Sequence, residues 1–194
     1  LGLQAGDTVL VHSSLSAIGE VEGGPDAVID ALLEVLGPRG TLLMPNLTRG
    51  VFDLKESPSI VGLVPAVFRK RPGVLRSLHP SHAVAGIGPR AEALLAGNLA
   101  APTACGRGTT FGNLAAGEGF VLLLGVDHDR NTPLHAVEDY ASAPYLKTLE
   151  REYVDPDDGR VKTKRIGRSG GPHRNFIGLD PLFRRAGIQR TGKV

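Results

Sequence analysis

The alternation of apolar and polar positions divides the chain into short strands and helices that follow one another in α/β order. "DTVLVHSS" reads as a buried strand that runs out into small polar residues. Gly23, Gly24, Pro25 and Asp26 then open a helix. Ala27, Val28, Ala31, Leu32, Val35 and Leu36 recur along it at helical spacing, and "GPRG" ends it. "TLLMP" is the next strand, so a strand–helix–strand unit opens the chain. Residues 46–60 read as loop, because Pro58 interrupts any regular helix. A short helix around Val64–Arg69 follows, then an extended "VLRSLHPSHAVAGIG" and a compact helix in "PRAEALLAG". "APTACGRGTTFGNL" has no clean period and reads as a functional loop or short turns. "GFVLLLGV" is the clearest buried strand by composition, and "TPLHAVEDYA" follows as a helix with Thr132 as N-cap and Pro133 as first residue. "REYVDPDDGRVKTKRI" predicts a hairpin turning at Asp158-Gly159, and "LDPLFRRAG" a last short helix.

Length and composition add bounds. A chain of 194 residues with 41% hydrophobic content is enough for one domain with a real core. No apolar run approaches the roughly 20 residues of a membrane span. Leu1 leads almost directly into the first strand, with no signal-peptide pattern, and we expect the natural chain to carry further residues at both ends. Cys105 is the single cysteine, which fits a reducing, cytoplasmic setting. The net charge of +2 hides an asymmetry: residues 1–158 hold 12 Lys/Arg against 19 Asp/Glu, and residues 159–194 hold 10 against Asp180 alone. The basic end suits a phosphate partner or a solvated surface, and the acidic body suits a cationic ligand. With 5% aromatics and no Trp, no stacking platform for single-stranded nucleic acid is expected.

Candidate chemistry gathers at strand ends. His135 and Glu138 stand i, i+3 on one helix face, just after a strand, where open α/β sheets place ligands. The imidazole can accept a proton near neutral pH, with the carboxylate orienting it. The spacing alone equally fits a surface pair worth a few tenths of a kcal/mol. Asp127, His128 and Asp129 form no zinc pattern, so no metal is expected. Ser13, Ser14 and Ser16 could hold phosphate oxygens after the first strand, although no P-loop or dinucleotide fingerprint is present. Arg76, Ser77 and His79 in "RSLHP" could bind an anion or simply cap a strand end. No GxSxG elbow exists, and Cys105 lies in no nucleophile motif, so direct attack assisted by a general base is the expected course.

Five stretches, taken in order, resemble the aminoglycoside 3-N-acetyltransferase family: "GDTVLVHSSLSAIG", "GGPDAVIDALLEVLGPRGTLLMP", "LRSLHPSHAVAGIG", "GTTFGNL" and "LLLGVDHDRNTPLHAVED". They cover most of residues 6–140, with weaker agreement at "HRNF". The resemblance implies a single α/β domain over residues 1–194, a central mixed sheet flanked by helices, acetyl-coenzyme A as donor and no metal. It implies coenzyme contacts from Ser13, Ser14 and Leu15, from Arg76, Ser77 and His79, and from Thr109, Thr110 and Phe111, where the family usually reads GSPFG. His135 and Glu138 match the family's catalytic HxxE, with Thr132 close enough to help position the site. The implied partners are coenzyme A and a small-molecule amine, with no nucleic acid or membrane, in a monomer or homodimer. Asp53, Glu56 and Asp139, together with Asp127 and Asp129, are candidates for binding an acceptor's ammonium groups. Two departures stand out. Ala83 replaces a frequent Ser, and the segment between Leu47 and Val61 is short where acceptor recognition is expected. The alternatives are an acetyltransferase of the same fold acting on another amine, and a non-catalytic coenzyme A-binding protein.

Overall fold

The computed structural model describes residues 2–169 and 174–193; Leu1, Val194 and His173 of "HRNF" lie outside them. A five-stranded mixed sheet forms the centre, in the order β3-β4-β2-β1-β5. β1 (Thr8–Ser13), β2 (Thr41–Pro45) and β5 (Phe120–Leu124) run parallel. β4 (Val84–Ile87) is antiparallel to β2, and the two-residue β3 (Leu75–Arg76) is antiparallel to β4.

Both faces of this sheet are covered, which is why its inner strands read as unbroken apolar runs rather than alternating ones. Successive side chains leave opposite faces of a strand. Val9, Val11, Leu42, Met44 and Ala85 therefore meet α2 (Gly24–Leu36) and α3 (Leu63–Phe68) through Ile29, Leu32, Leu36, Val64 and Phe68. Leu10, Leu43 and Val84 point the other way, toward α4 (Ala91–Leu95), α5 (Thr110–Ala116) and α6 (Leu134–Tyr140). Phe111, Leu114 and Ala136 close that layer.

A hairpin of β6 (Lys147–Val154) and β7 (Val161–Ser169) stands apart from the sheet and turns through residues 155–160, as the sequence predicts. It ties two loops together. Phe52 pairs with Tyr153 and Thr103 with Gly167 through isolated bridges, and Ile166 enters the core beside Ala136. A one-turn α1 (Leu15–Ile18) follows β1, and α7 (Asp180–Arg185) lies near the end.

Five expectations change. The end of "APTACGRGTTFGNL" is not loop but the start of α5, which Thr109 caps by accepting from the Gly112 N–H. β5 is the outer strand of the sheet, with Phe120 52% and Val121 37% exposed, because apolar composition does not distinguish an edge from a centre. Val35 is exposed, and Ile29 takes its place on the buried face of α2. Thr132 is not an N-cap: α6 starts at Leu134 after Pro133, with no side-chain cap, while the Thr132 carbonyl accepts from the His135 N–H at 3.0 Å. The stretch 75–87 is not continuously extended, because Pro80 and the turn around it separate β3 from β4.

Candidate active site

The parallel strands β1, β2 and β5 end at one edge of the sheet, and the loop between β3 and β4 returns to the same edge because Val84 pairs with Pro45. The sequence-predicted groups therefore converge on one region from three separate segments. Ser13, Ser14 and Leu15 lie where β1 passes into α1, Arg76, Ser77 and His79 where β3 turns back, and His135 and Glu138 on α6 beyond β5.

The pair on α6 is hydrogen-bonded. Nδ1 of His135 lies 2.6 Å from Oε2 of Glu138, whose side chain is 8% exposed against 34% for the imidazole. Phe176 packs edge-on against the ring at 5.1 Å. Oε1 of Glu138 accepts from the Tyr145 hydroxyl at 2.6 Å and from Nε of Arg174. Burial pushes the Glu138 carboxyl up, but the hydrogen bonds from Arg174, His135 and Tyr145 outweigh it and hold the group below its ordinary value. An ionised carboxylate at Oε2 keeps the imidazole proton on Nδ1 and leaves the Nε2 lone pair for chemistry.

Several residues expected at the coenzyme also have partners within the protein. The Arg76 guanidinium donates to the carbonyls of Leu54 at 3.1 Å and Ser57 at 2.8 Å, and it stacks 4.8 Å over Phe52. Ser77 accepts from the Val84 N–H at 2.9 Å, and Nδ1 of the fully buried His79 accepts from the N–H groups of Ser81 and His82. Thr109 donates to the Gly106 carbonyl at 2.7 Å and caps α5 by accepting from Gly112. Thr110 is paired twice with Asn98, and Phe111 is a core residue at 1% exposure. These bonds fasten the loops that carry the residues. Ser14 stays accessible, its Oγ 3.2 Å from that of Ser16, while the buried Ser13 hydroxyl has no partner among the described residues.

The acidic candidates divide similarly. Oδ1 of Asp53 accepts from the N–H groups of Lys55 and Glu56, and the bonds from Glu56 and Lys55 hold its carboxyl below the ordinary range. Asp139 accepts from Thr103 at 3.3 Å and lies so close to Gly106 that a Cβ there would clash with it. Glu56, Asp127 and Asp129 are exposed. An open cleft of about 920 Å³ borders Arg76, Ser77, Leu78 and Asn98, but neither His135 nor Glu138 lines it. No group of three or more metal-ligating side chains occurs among the described residues, and none of their helices is long and apolar enough to cross a membrane.

A family model described as aminoglycoside 3-N-acetyltransferase matches residues 10–194. The chain belongs to the aminoglycoside 3-N-acetyltransferase family. Aminoglycoside N(3)-acetyltransferase IV of Salmonella sp is 41% identical over 201 residues, spanning 100% of this chain and 75% of that protein. Among solved structures, a mutant of aminoglycoside acetyltransferase AAC(3)-IVa in complex with a gentamicin aligns with a TM-score of 0.89 at 33% identity, over 98% of this chain and 74% of that one. AAC-IIIb in a binary complex with CoASH aligns with a TM-score of 0.83 at 27% identity, over 96% and 81%. Family membership makes the mixed-sheet α/β fold and acyltransferase chemistry the frame for the geometry above.

Three residues around the pair, Tyr145, Arg174 and Phe176, carry no signal strong enough to single them out from sequence. Arg174 and Phe176 belong to "HRNF", whose weak agreement is the one trace of them. Tyr145 follows α6 with no motif around it.

Proposed function

We propose that the chain transfers acetyl from acetyl-coenzyme A to the 3-amino group of a 2-deoxystreptamine aminoglycoside, with His135 as general base and Glu138 as its partner. The observation that carries this reading is the 2.6 Å bond between an accessible imidazole and a buried, ionised carboxylate at the ends of the parallel strands. The acceptor arrives as an ammonium and has no lone pair until it loses a proton. His135 takes that proton at Nε2 as nitrogen attacks the thioester carbon, and Glu138 stabilises the imidazolium through Nδ1–H. The new C–N bond forms and the C–S bond breaks; the departing thiolate takes the second proton that the nitrogen gives up in becoming an amide, and the imidazolium returns the first to solvent. Bringing the two substrates together supplies a large share of the acceleration, since effective molarities reach about 10⁵ M or more.

The donor assignment draws on the coenzyme complex of AAC-IIIb and on the accessible hydroxyls at Ser14 and Ser16, beside the buried Ser13. Arg76, Ser77, His79, Thr109 and Thr110 then contribute by holding the backbone that would meet the coenzyme. The acceptor assignment draws on the gentamicin complex of the AAC(3)-IVa mutant. Because Asp53, Asp127 and Asp139 already bind backbone and loop groups, Glu56 and Asp129 are the carboxylates we assign to ammonium recognition. That division favours, as a second reading, an amine acceptor with fewer ammonium groups.

The test is thiol release from acetyl-coenzyme A with an aminoglycoside panel and unrelated amines, followed by mass spectrometry and NMR of the product. His135→Ala should lower kcat by about 10²–10⁴-fold with coenzyme affinity kept. Undiminished turnover in that variant rejects the base, and acetylation only of non-aminoglycosides rejects the acceptor.

A further inference from the structure

Glu138 has more partners than orienting one imidazole requires. Its Oε2 faces Nδ1 of His135, whereas Oε1 is held by two groups from different parts of the chain. Tyr145 comes from the segment after α6, and Arg174 from beyond the β6–β7 hairpin. They also touch each other, the Arg174 guanidinium lying 5.4 Å from the Tyr145 ring centre. The Arg174 side chain is 19% exposed and that of Glu138 8%, so the ion pair is largely withdrawn from solvent, where charge-assisted bonds are strong.

We infer that Tyr145 and Arg174 are positioning residues for acetyl transfer, acting through Glu138. This rests on the reading of His135 as the base. A carboxylate held at one oxygen only can rotate about its side-chain torsions and lose its alignment with Nδ1. Two donors converging on Oε1 fix the plane of the group and direct Oε2 at the ring. The Arg174 charge keeps Glu138 ionised despite its burial, so the imidazole proton stays on Nδ1 and Nε2 stays available. Tyr145 donates its proton, and its bond to the carboxylate holds its hydroxyl above the ordinary value, so it remains a donor across the working pH range. Both act on Glu138 through Oε1. Their loss should therefore lower kcat and leave both KM values nearly unchanged.

The experiment measures kcat, both KM values and coenzyme affinity for Tyr145→Phe, Arg174→Met and Arg174→Lys, each alone and in a Glu138→Ala background, beside His135→Ala. Tyr145→Phe should lower kcat about tenfold, the size expected for one lost bond to a charged group, and Arg174→Met by more. Arg174→Lys should recover part of the loss. In the Glu138→Ala background the same substitutions should cost nothing further, because the group through which they act is gone. An equal loss in that background would show a purely structural role and overturn the inference. So would wild-type kcat in both Tyr145→Phe and Arg174→Met while His135→Ala is inactive. If His135→Ala itself keeps its turnover, the underlying base assignment fails, a distinct outcome. Tyr145→Phe removes one oxygen from a ring 38% exposed, so it keeps the test decisive should an Arg174 variant not fold.

Discussion

Lowering the pH from about 7.5 to about 5 should destabilise the protein by roughly 4 kcal/mol through two histidines alone. His12 is 8% exposed and His79 fully buried. Burial pushes His12 down to about 4. Burial also pushes His79 down, with His82 and Lys164 adding to it, to about 3. In the unfolded chain each returns to about 6.5. Between the folded and unfolded values the unfolded chain binds more protons. Stability is therefore complete above about 6.5 and is lost as the pH falls toward the folded values. The loss is about 1.4 kcal/mol per pH unit for each group, hence about 2 kcal/mol each by pH 5. Glu138 adds little over this range, because an unfolded glutamate titrates near about 4.3. Set against the roughly 5–15 kcal/mol that holds a domain folded, the effect is large. At roughly 2–4 °C per kcal/mol for a chain of this size, these two should lower Tm by roughly 8–16 °C. Far-UV circular dichroism melts at both pH values provide the measurement. Burial also pushes His82 down to about 4, which adds about 2 kcal/mol by the same reasoning, so His12→Gln and His79→Gln should each remove about a third of the whole drop. A Tm that is unchanged by pH, or a drop equally large in both variants, would refute the burial argument.

Phe111→Ala should cost about 3–5 kcal/mol in urea denaturation, as expected for a core aromatic, while the folded fraction keeps its coenzyme affinity by calorimetry. Gly88→Ala should abolish soluble folding or lower Tm sharply, because Gly88 has φ +119° and an added Cβ would lie 2.2 Å from the Gly40 carbonyl oxygen. Glu138→Gln should reduce kcat by less than His135→Ala, since the amide still accepts from Nδ1 but no longer offsets the imidazolium charge. Glu56→Gln should raise the acceptor KM more than it lowers kcat, and the increase should shrink at high ionic strength, where screening is strong.

The His135–Glu138 pair was legible because helical spacing is a local property: i, i+3 on "LHAVED" fixes both residues on one face whatever the rest of the chain does. The opening strand–helix–strand unit was legible for the same reason. What surrounds the pair was not. Tyr145 and Arg174 reach Glu138 from residues 7 and 36 positions away, through a turn and a hairpin whose docking no local pattern encodes. The edge position of β5 was hidden too, since it depends on which strands pair with β1 and not on the composition of "FVLLL". Internal roles of the hydroxyls and cations were not legible either. Ser77, Thr109, Thr110 and Arg76 are residues that could bind phosphate, but the loops carrying them are tightly folded, and the backbone groups there needed the same hydrogen bonds.

Two differences from the family pattern, at Thr110 in "GTTFG" and at Ala83, have physical counterparts in the fold. Thr110 stands where relatives commonly carry proline, at the first position of α5, a place proline favours because no intrahelical partner exists for its missing N–H. Threonine exposes that donor again, and the structure satisfies it: the Thr110 N–H reaches Oδ1 of Asn98 at 2.7 Å while Nδ2 of Asn98 reaches the Thr110 hydroxyl at 2.9 Å. Asn98 is 2% exposed, so water is a poor substitute for either bond. Two hydrogen bonds thus replace a ring constraint, and the helix start keeps its place beneath the site. Ala83 stands where relatives often have serine, and it is fully buried with Phe52 and Tyr153. A hydroxyl in that cluster would need a partner, whereas a methyl group packs directly against the contact between the residue 46–60 loop and the β6–β7 hairpin. The missing hydroxyl therefore strengthens the apolar joint that holds the residue 46–60 loop. In both cases the substitution leaves the dyad untouched and changes only how the surrounding loops are fastened.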